Sequence, residues 1–182
     1  MASEWATLSN YQSHQLVRRD YARKHGREPN AAHTTEICSP FIQAEHYFRS
    51  AKEADRTVYP LLLYYGVISL TRGLNLFLSR GLREAALSPA HGLSIRGWQH
   101  EFAKGVPDLT NLEIRTNSAG TLIELFHATG ARSLLRSNSS AVTVKVQHPF
   151  CAMEFGISFG SLLSRLPDIS DHYLRCRRGQ GA

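Results

Sequence analysis

Apolar positions recur at helical spacing in the first half of this chain and alternate, more briefly, in the second. Phe41, Ala44, Phe48 and Ala51 repeat every three or four positions, joined by Tyr47 and Ala54. Gln43, His46, Arg49, Ser50, Lys52 and Glu53 take the opposite side. This pattern predicts a helix with one dry face. Ser39 is its expected N-cap, and Pro40 falls where proline is welcome, at the first helical position. A second run, Pro60 to Arg80, is apolar nearly all round. It has the length of a membrane span, but an arginine near the centre of such a span costs roughly 2.5–3.5 kcal/mol even on a lenient insertion scale. Tyr65, Ser69 and Arg72, and less regularly Asn75 and Ser79, are spaced by four or three and fall along one stripe. The run therefore reads as a buried central helix with a polar seam.

The flanks are read by the same rules. Met1 to Gly26 reads as a first helix that starts near Ser9 or Asn10 and stops at Gly26, and Arg27 to Thr35 as a loop. The segment after His91-Gly92-Leu93 reads as irregular connection, with Trp98 plugging the edge of the core. Leu112, Ile114 and Thr116 alternate with Glu113 and Arg115, which predicts a short half-buried strand ending at Asn117–Gly120. Thr121 to Ala128 suits a short helix or a strand, and Arg132 to Ser140 is loop-like. Ala141 to Gln147 alternates as a strand, Ser158 to Leu166 suggests a short helix broken by Pro167, and Ile169 to Arg178 suggests another. The tail from Arg177 reads as disordered. The expected fold is mostly α with a small α+β C-terminal part: a helical core over residues 1–93 and an extension over 94–182 packed on that core as one domain.

Composition changes this picture only in part. The chain has 182 residues with 42% hydrophobic and 20% charged, enough for one domain with a real core. Met1 to Leu8 lacks a charged start followed by an apolar block, so no signal peptide is expected. Cys38, Cys151 and Cys176 are odd in number and lack metal-ligand spacing, which speaks against a disulfide scaffold or a zinc site and for a reducing cytoplasm. No membrane association, metal or cofactor is expected. The net charge is +6, and arginine outnumbers lysine 17 to 4. Arginine forks onto phosphate and stacks on bases, which points to a nucleic acid or nucleotide partner. A GC-rich genome produces the same bias without function.

Two constellations carry candidate chemistry. Arg18, Arg19, Arg23, Lys24 and Arg27 make the first helix and its exit strongly basic, with Tyr11, Tyr21 and His25 interleaved, a candidate phosphate-tracking surface. In the central helix, Arg72 on the polar seam must reach a carboxylate, backbone carbonyls, solvent or a ligand anion. Tyr65, Ser69 and Asn75 are its natural companions, and His91 follows where the chain turns. The arrangement is read either as a satisfied network that fixes helix packing or as a cleft lined by Arg72, Tyr65 and His91. No GxSxG, GxxxxGK[ST] or GxGxxG motif occurs.

The AEHYFRSAKEAD helix, the PLLLYYGVISLTRGLNLFL run and the following HGL, with GTLIELF and SLLSRLPDI further on, resemble the YaaC-like family of bacterial proteins. The likeness runs from about Ile42 to Pro167. It implies an intracellular protein whose helical part is similar to the HEPN superfamily of RNA-binding and RNA-cleaving helical bundles, common in toxin, abortive-infection and phage-defence systems. Family members are usually longer, so the chain is expected to correspond to an N-terminal portion.

Active members of that superfamily carry an arginine and a histidine separated by four to six residues, two copies usually facing each other across a dimer. The arginine neutralises phosphate charge and the histidine moves the 2′-hydroxyl proton without metal. Here the spacing occurs from Arg18 and Arg19 to His25, Arg27 to His33 and Arg165 to His172, where about 2.5 such pairs arise by chance. Arg18 and His25 share a helix face. The expected function is a cytoplasmic bacterial module that binds RNA or a nucleotide in a defence or toxin-like setting, with a protein partner or a second copy. Its alternatives are a dimeric metal-independent endoribonuclease, with Arg72, His91, Arg18 and His25 as candidate catalytic residues, and a non-catalytic docking regulator.

Overall fold

A computed structural model describes residues 6–130, 134–137, 143–146 and 156–166. The chain is mostly α-helical, with a small antiparallel sheet in its C-terminal part. A 3-10 turn at Ser9–Gln12 leads into helix α1 (His14–His25), then α2 (Ala31–Glu53) and α3 (Tyr59–Leu78). The first helix is thus interrupted, because Ser13 takes an extended conformation and accepts from the Leu16 N–H as an N-cap. Gly26 ends α1 in the left-handed conformation, as expected.

Helix α2 begins well before the expected start at Ser39, inside the stretch read as a loop. Asn30 is its N-cap, accepting from the His33 N–H at 2.8 Å, and the helix runs through Pro40. Ser39 lies mid-helix, with its hydroxyl donating to the Thr35 carbonyl at 2.8 Å. Proline inside a helix removes one backbone hydrogen bond. Burial of Pro40 with Ile37, Cys38 and Phe41 in the core holds the helix together across it.

Helices α2 and α3 form an antiparallel pair, the most extensive contact between elements in the fold. Its registry is set by two rings and two glycines. A Cβ on Gly73 would stand 2.8 Å from the Phe41 ring, and one on Gly66 would stand 2.9 Å from the Phe48 ring. At Gly73 only hydrogen fits, since the Phe41 ring is locked in the core, whereas at Gly66 the half-buried Phe48 ring has room to shift. Tyr47 stacks on Tyr65 along the same seam, with ring centroids 5.6 Å apart. Tyr11, Val17 and Tyr21 close the far side of the Phe41–Leu76–Phe77 core.

The central helix is less enclosed than its composition suggests. Gly66, Ser69, Thr71, Gly73, Asn75, Leu76 and Phe77 are buried, whereas Leu61, Tyr64, Tyr65 and Val67 are exposed. Burial is concentrated in its C-terminal half, and no other described element covers the outer side of its first turns. It has the length and apolar content of a membrane span, with 39% of that window buried.

The second half holds β1 (Leu93–Arg96), α4 (Trp98–Phe102), β2 (Glu113–Thr116), α5 (Thr121–Thr129), β3 (Leu134–Ser137), β4 (Thr143–Val146), β5 (Gly156–Ser158) and α6 (Phe159–Leu163). Strand β2 lies between β1 and β5, antiparallel to both, and β3 pairs antiparallel with β4. The expected strand around Ile114 is therefore central, and the segment read as irregular contains β1 and α4. Trp98 is exposed rather than plugged into the core. The ambiguous stretch is helix α5, and the loop-like stretch contains β3. The expected helix over 169–178, the tail, Cys151, Cys176 and His172 lie outside the described residues.

Helix α5 ties the halves together. Its first N–H groups, at Thr121 and Leu122, donate to the Ala90 and His91 carbonyls at 2.8 and 3.2 Å, satisfying a helix start that would otherwise need side-chain caps. Asn75 of α3 donates to the Thr121 carbonyl at 3.0 Å, and Glu124 accepts from the Ser88 N–H at 2.8 Å. Gly92 and Gly120 meet backbone to backbone, where a Cβ on Gly120 would stand 2.4 Å from the Gly92 Cα.

Gly73→Ala is expected to cost about 1–3 kcal/mol, because the ring it meets is locked in the core. Gly66→Ala is expected to fall within about 1 kcal/mol of wild type, since the Phe48 ring is half-buried and alanine favours the helix. Chemical denaturation of both variants checks that order. Gly120→Ala, which meets backbone at a positive φ, is expected to lose at least about 2 kcal/mol in the same measurement.

Candidate functional site: a cationic pocket between the first two helices

A cavity of about 430 Å³ opens where α1, the α1–α2 connection, the start of α2 and the segment after α3 converge. Arg18, Tyr21 and His25 come from α1, Arg27 and Glu28 from the connection, His33 from α2, and Arg80 and Arg83 from the segment after α3. Four guanidiniums thus face one lining carboxylate. Arg18 pairs with that carboxylate, Glu28, at 2.6 Å. Among the described residues, Arg27 and Arg80 have no carboxylate partner.

Five hydrogen bonds fix the end of α3 and the segment after it against α1 and α2. Arg83 forks onto Glu36 through two bonds of 2.8 and 2.5 Å, and the Glu84 N–H donates to the same carboxylate at 3.1 Å. A forked guanidinium–carboxylate pair fixes orientation as well as distance. The Gly81 N–H donates to the Tyr21 hydroxyl at 2.9 Å, and His25 Nε2 donates to the Phe77 carbonyl at 2.8 Å. Hydrogen bonding to Arg83, foremost, holds the Glu36 carboxyl down at about 2.

His33 lines the cavity and is itself buried, at 6% exposure. Burial first, and then the positive charge of Arg83, holds its proton affinity below the ordinary histidine value, which favours a neutral ring near pH 7. Its Nε2 is buried and has no hydrogen-bond partner among the described residues. The Tyr21 ring lies between His25 and His33, with centroids 4.2 and 5.3 Å away.

The structure sorts the sequence candidates into separate places. Arg18, His25 and Arg27 meet at this cavity. Arg19 and Arg23 instead pair with Asp20 at 3.0 and 3.2 Å, outside the lining, and Lys24 is exposed outside it too. Arg72 is 26% exposed and reaches the Glu84 carboxylate at 3.6 Å. Asn75 is buried and joins α3 to α5, Ser69 is buried, and Tyr65 is exposed against Tyr47 and Tyr64. His91 is exposed and accepts from the Leu93 N–H at 3.1 Å, its ring 6.0 Å from that of Tyr64. Sequence patterning marks His33 only as the partner of Arg27 in one of the arginine–histidine spacings, and does not mark Arg80 or Arg83. Asn30 is the available signal for His33, as an N-cap three residues ahead of it; nothing local marks the two arginines. Among the described residues, no group of three or more His, Cys, Asp or Glu is placed to hold a metal ion.

This architecture defines a helical protein with a cationic pocket and a small sheet appended to its core. A family model described as YaaC-like protein matches residues 6–181, so the chain belongs to the YaaC-like family. Searches among curated proteins and among solved structures returned no match.

The Glu36–Arg83 pair has a pH signature. A carboxyl lowered from 4.5 to about 2 by folding adds stability that is complete above its unfolded value and lost as pH falls through its folded one. Thermal melting followed from pH 5 to pH 2 is expected to show a declining midpoint over that window. Glu36→Gln is expected to flatten the decline and leave the slope above pH 5 unchanged.

Proposed function

We propose that this chain is a bacterial cytoplasmic module that binds RNA or a nucleotide through the pocket between α1 and α2. The observation that carries the reading is the pair of guanidiniums, Arg27 and Arg80, that have no carboxylate partner among the described residues and stand beside Arg18 and Arg83 around one cavity. Guanidinium is the side-chain group best matched to phosphate, and four of them around one cavity concentrate positive charge there. The HEPN-like assignment of the helical core, a place in a defence or toxin-like system, and action as a dimer belong to the same proposal and draw on the family resemblance.

A second reading, metal-independent RNA cleavage, gains from Arg18 and His25 lining the same pocket. There the histidine's Nε2 is engaged by the Phe77 carbonyl, which leaves Nδ1 for proton transfer. A docking role gains from the exposed Leu61, Tyr64, Tyr65 and Val67 on α3.

The test is fluorescence anisotropy of a labelled single-stranded RNA and of a labelled nucleotide, across a salt series, with EDTA present. The Arg27→Ala/Arg80→Ala double variant is expected to bind the RNA at least about tenfold more weakly. Its salt dependence is expected to be shallower, by about 0.7 in log–log slope for each phosphate no longer neutralised. Unchanged binding in that variant would remove the pocket from the proposal. RNA cleavage in EDTA that stops in His25→Ala would favour the nuclease reading. Cleavage that survives Arg18→Ala, Arg72→Ala, His25→Ala and His91→Ala would place chemistry at none of these residues.

A further inference from the structure

Four guanidiniums around one cavity suit an anion, and the pairing among them says how much charge that anion brings. Arg83 is held in its fork on Glu36, and Arg18 meets Glu28 at 2.6 Å. Arg27 and Arg80 have no carboxylate partner among the described residues and line the same cavity. Of the groups with a fixed charge near pH 7, the site therefore keeps two positive charges uncompensated.

The two existing pairs are not equivalent. Arg83 makes two bonds to Glu36, whose carboxylate also accepts from the Glu84 N–H, so that pair is part of the fold. Arg18 makes a single bond to Glu28, and both side chains are more than half exposed, at 53% and 58%. An exposed pair of that kind is weakly held, because water screens it and two long side chains must be kept in place. Glu28 thus occupies one arginine of the cavity with an acceptor that a ligand oxygen can replace.

Ribonucleotides carry two kinds of phosphate. An internal phosphodiester has one negative charge and a nucleoside on either side. A terminal phosphomonoester carries close to two charges near pH 7, since its second pKa is about 6, and it offers three strong acceptor oxygens. Two uncompensated guanidiniums match the monoester in charge. A cavity of about 430 Å³ is of the size that seats one small molecule, which suits a free end better than a strand threaded through it.

We propose that the pocket selects a terminal phosphate monoester, on a free nucleotide or at the end of an RNA, over the internal phosphodiesters of a strand. Arg27 and Arg80 take the dianion, and Arg18 joins them as the phosphate displaces Glu28. The inference rests on the pocket being the anion site of the proposed function and adds which phosphate that site takes.

Isothermal titration calorimetry on the full chain compares AMP with its phosphate methyl ester, which keeps the nucleoside and removes one charge, and with adenosine. AMP is expected to bind at least about tenfold more tightly than the ester, the value of one hydrogen bond to a charged group. Adenosine is expected not to bind. A short RNA with a 5′-phosphate is compared with the same RNA ending in a 5′-hydroxyl. A gap there as well as for AMP supports a site that takes RNA ends, and a gap for AMP alone supports one that takes the free nucleotide. Glu28→Gln, a change at an exposed side chain, is expected to tighten AMP by at least about threefold and the ester by less, because the released charge acts on two ligand charges instead of one. Equal binding of AMP and the ester would overturn the selectivity and leave the anion site standing. AMP binding left unchanged or weakened by Glu28→Gln would overturn the displacement of Glu28. If AMP, the ester and both RNAs all fail to bind, the inference and the underlying pocket reading fail together.

Discussion

Two phenyl rings seated in two glycine notches set the position of everything else. Phe41 and Phe48 are two helical turns apart on α2, and Gly73 and Gly66 are two turns apart on the antiparallel α3. Each ring packs directly on backbone, and at Gly73 even a methyl group would collide with a ring that cannot move. Interlocking of this kind fixes axial registry as well as distance, because sliding one helix by a turn would drive both rings into side chains. The buried half of α3 follows from it. So does the place where α3 ends, and that end point carries the residues that matter most.

Leaving α3, the chain has to cross back over α1 and the start of α2. Tyr21, His25 and Glu36 hold it there through Gly81, Phe77 and Arg83. These contacts raise the positive charge density of one corner to four guanidiniums around a cavity. They commit one of the four to Glu36 and set another beside Glu28. The neutral character of His33 is a product of the same crowding, since burial and the adjacent Arg83 both disfavour a second positive charge. Cys38, in the core between α2 and its neighbours, shows the same desolvation on a thiol, pushed up to about 11 and so held as an unreactive side chain.

The second half is attached by backbone rather than by a large apolar seam. Carbonyls of Ala90 and His91 serve as the cap of α5, and Asn75 reaches across from the central helix to the same turn. The His-Gly-Leu stretch is therefore a joint. Its glycine permits the close approach to Gly120, and its histidine folds back onto the Leu93 N–H.

Periodicity alone determined that the first half is helical, that Gly26 stops a helix, that Pro60 to Arg80 is one long helix and that the chain around Ile114 is a strand. These are local consequences of side-chain spacing and of backbone preference. Arg72 was also legible as a charge needing a partner, and the structure supplies Glu84. The start of α2 was misplaced because Pro40 is a strong local signal, and the packing that overrides it comes from residues distant in sequence. How far α3 is covered, the pairing of β3 with β4, and the exposure of Trp98 likewise depend on which neighbour arrives. Of the pocket, the sequence singled out Arg18, His25 and Arg27, since these lie on or next to one basic helix. His33, matched to Arg27 by spacing, follows them locally at the start of α2, whereas Arg80 and Arg83 join only through the antiparallel return of the chain. No spacing rule spans the 50 or so residues between the start of α2 and the end of α3; the contact that closes them exists only in three dimensions.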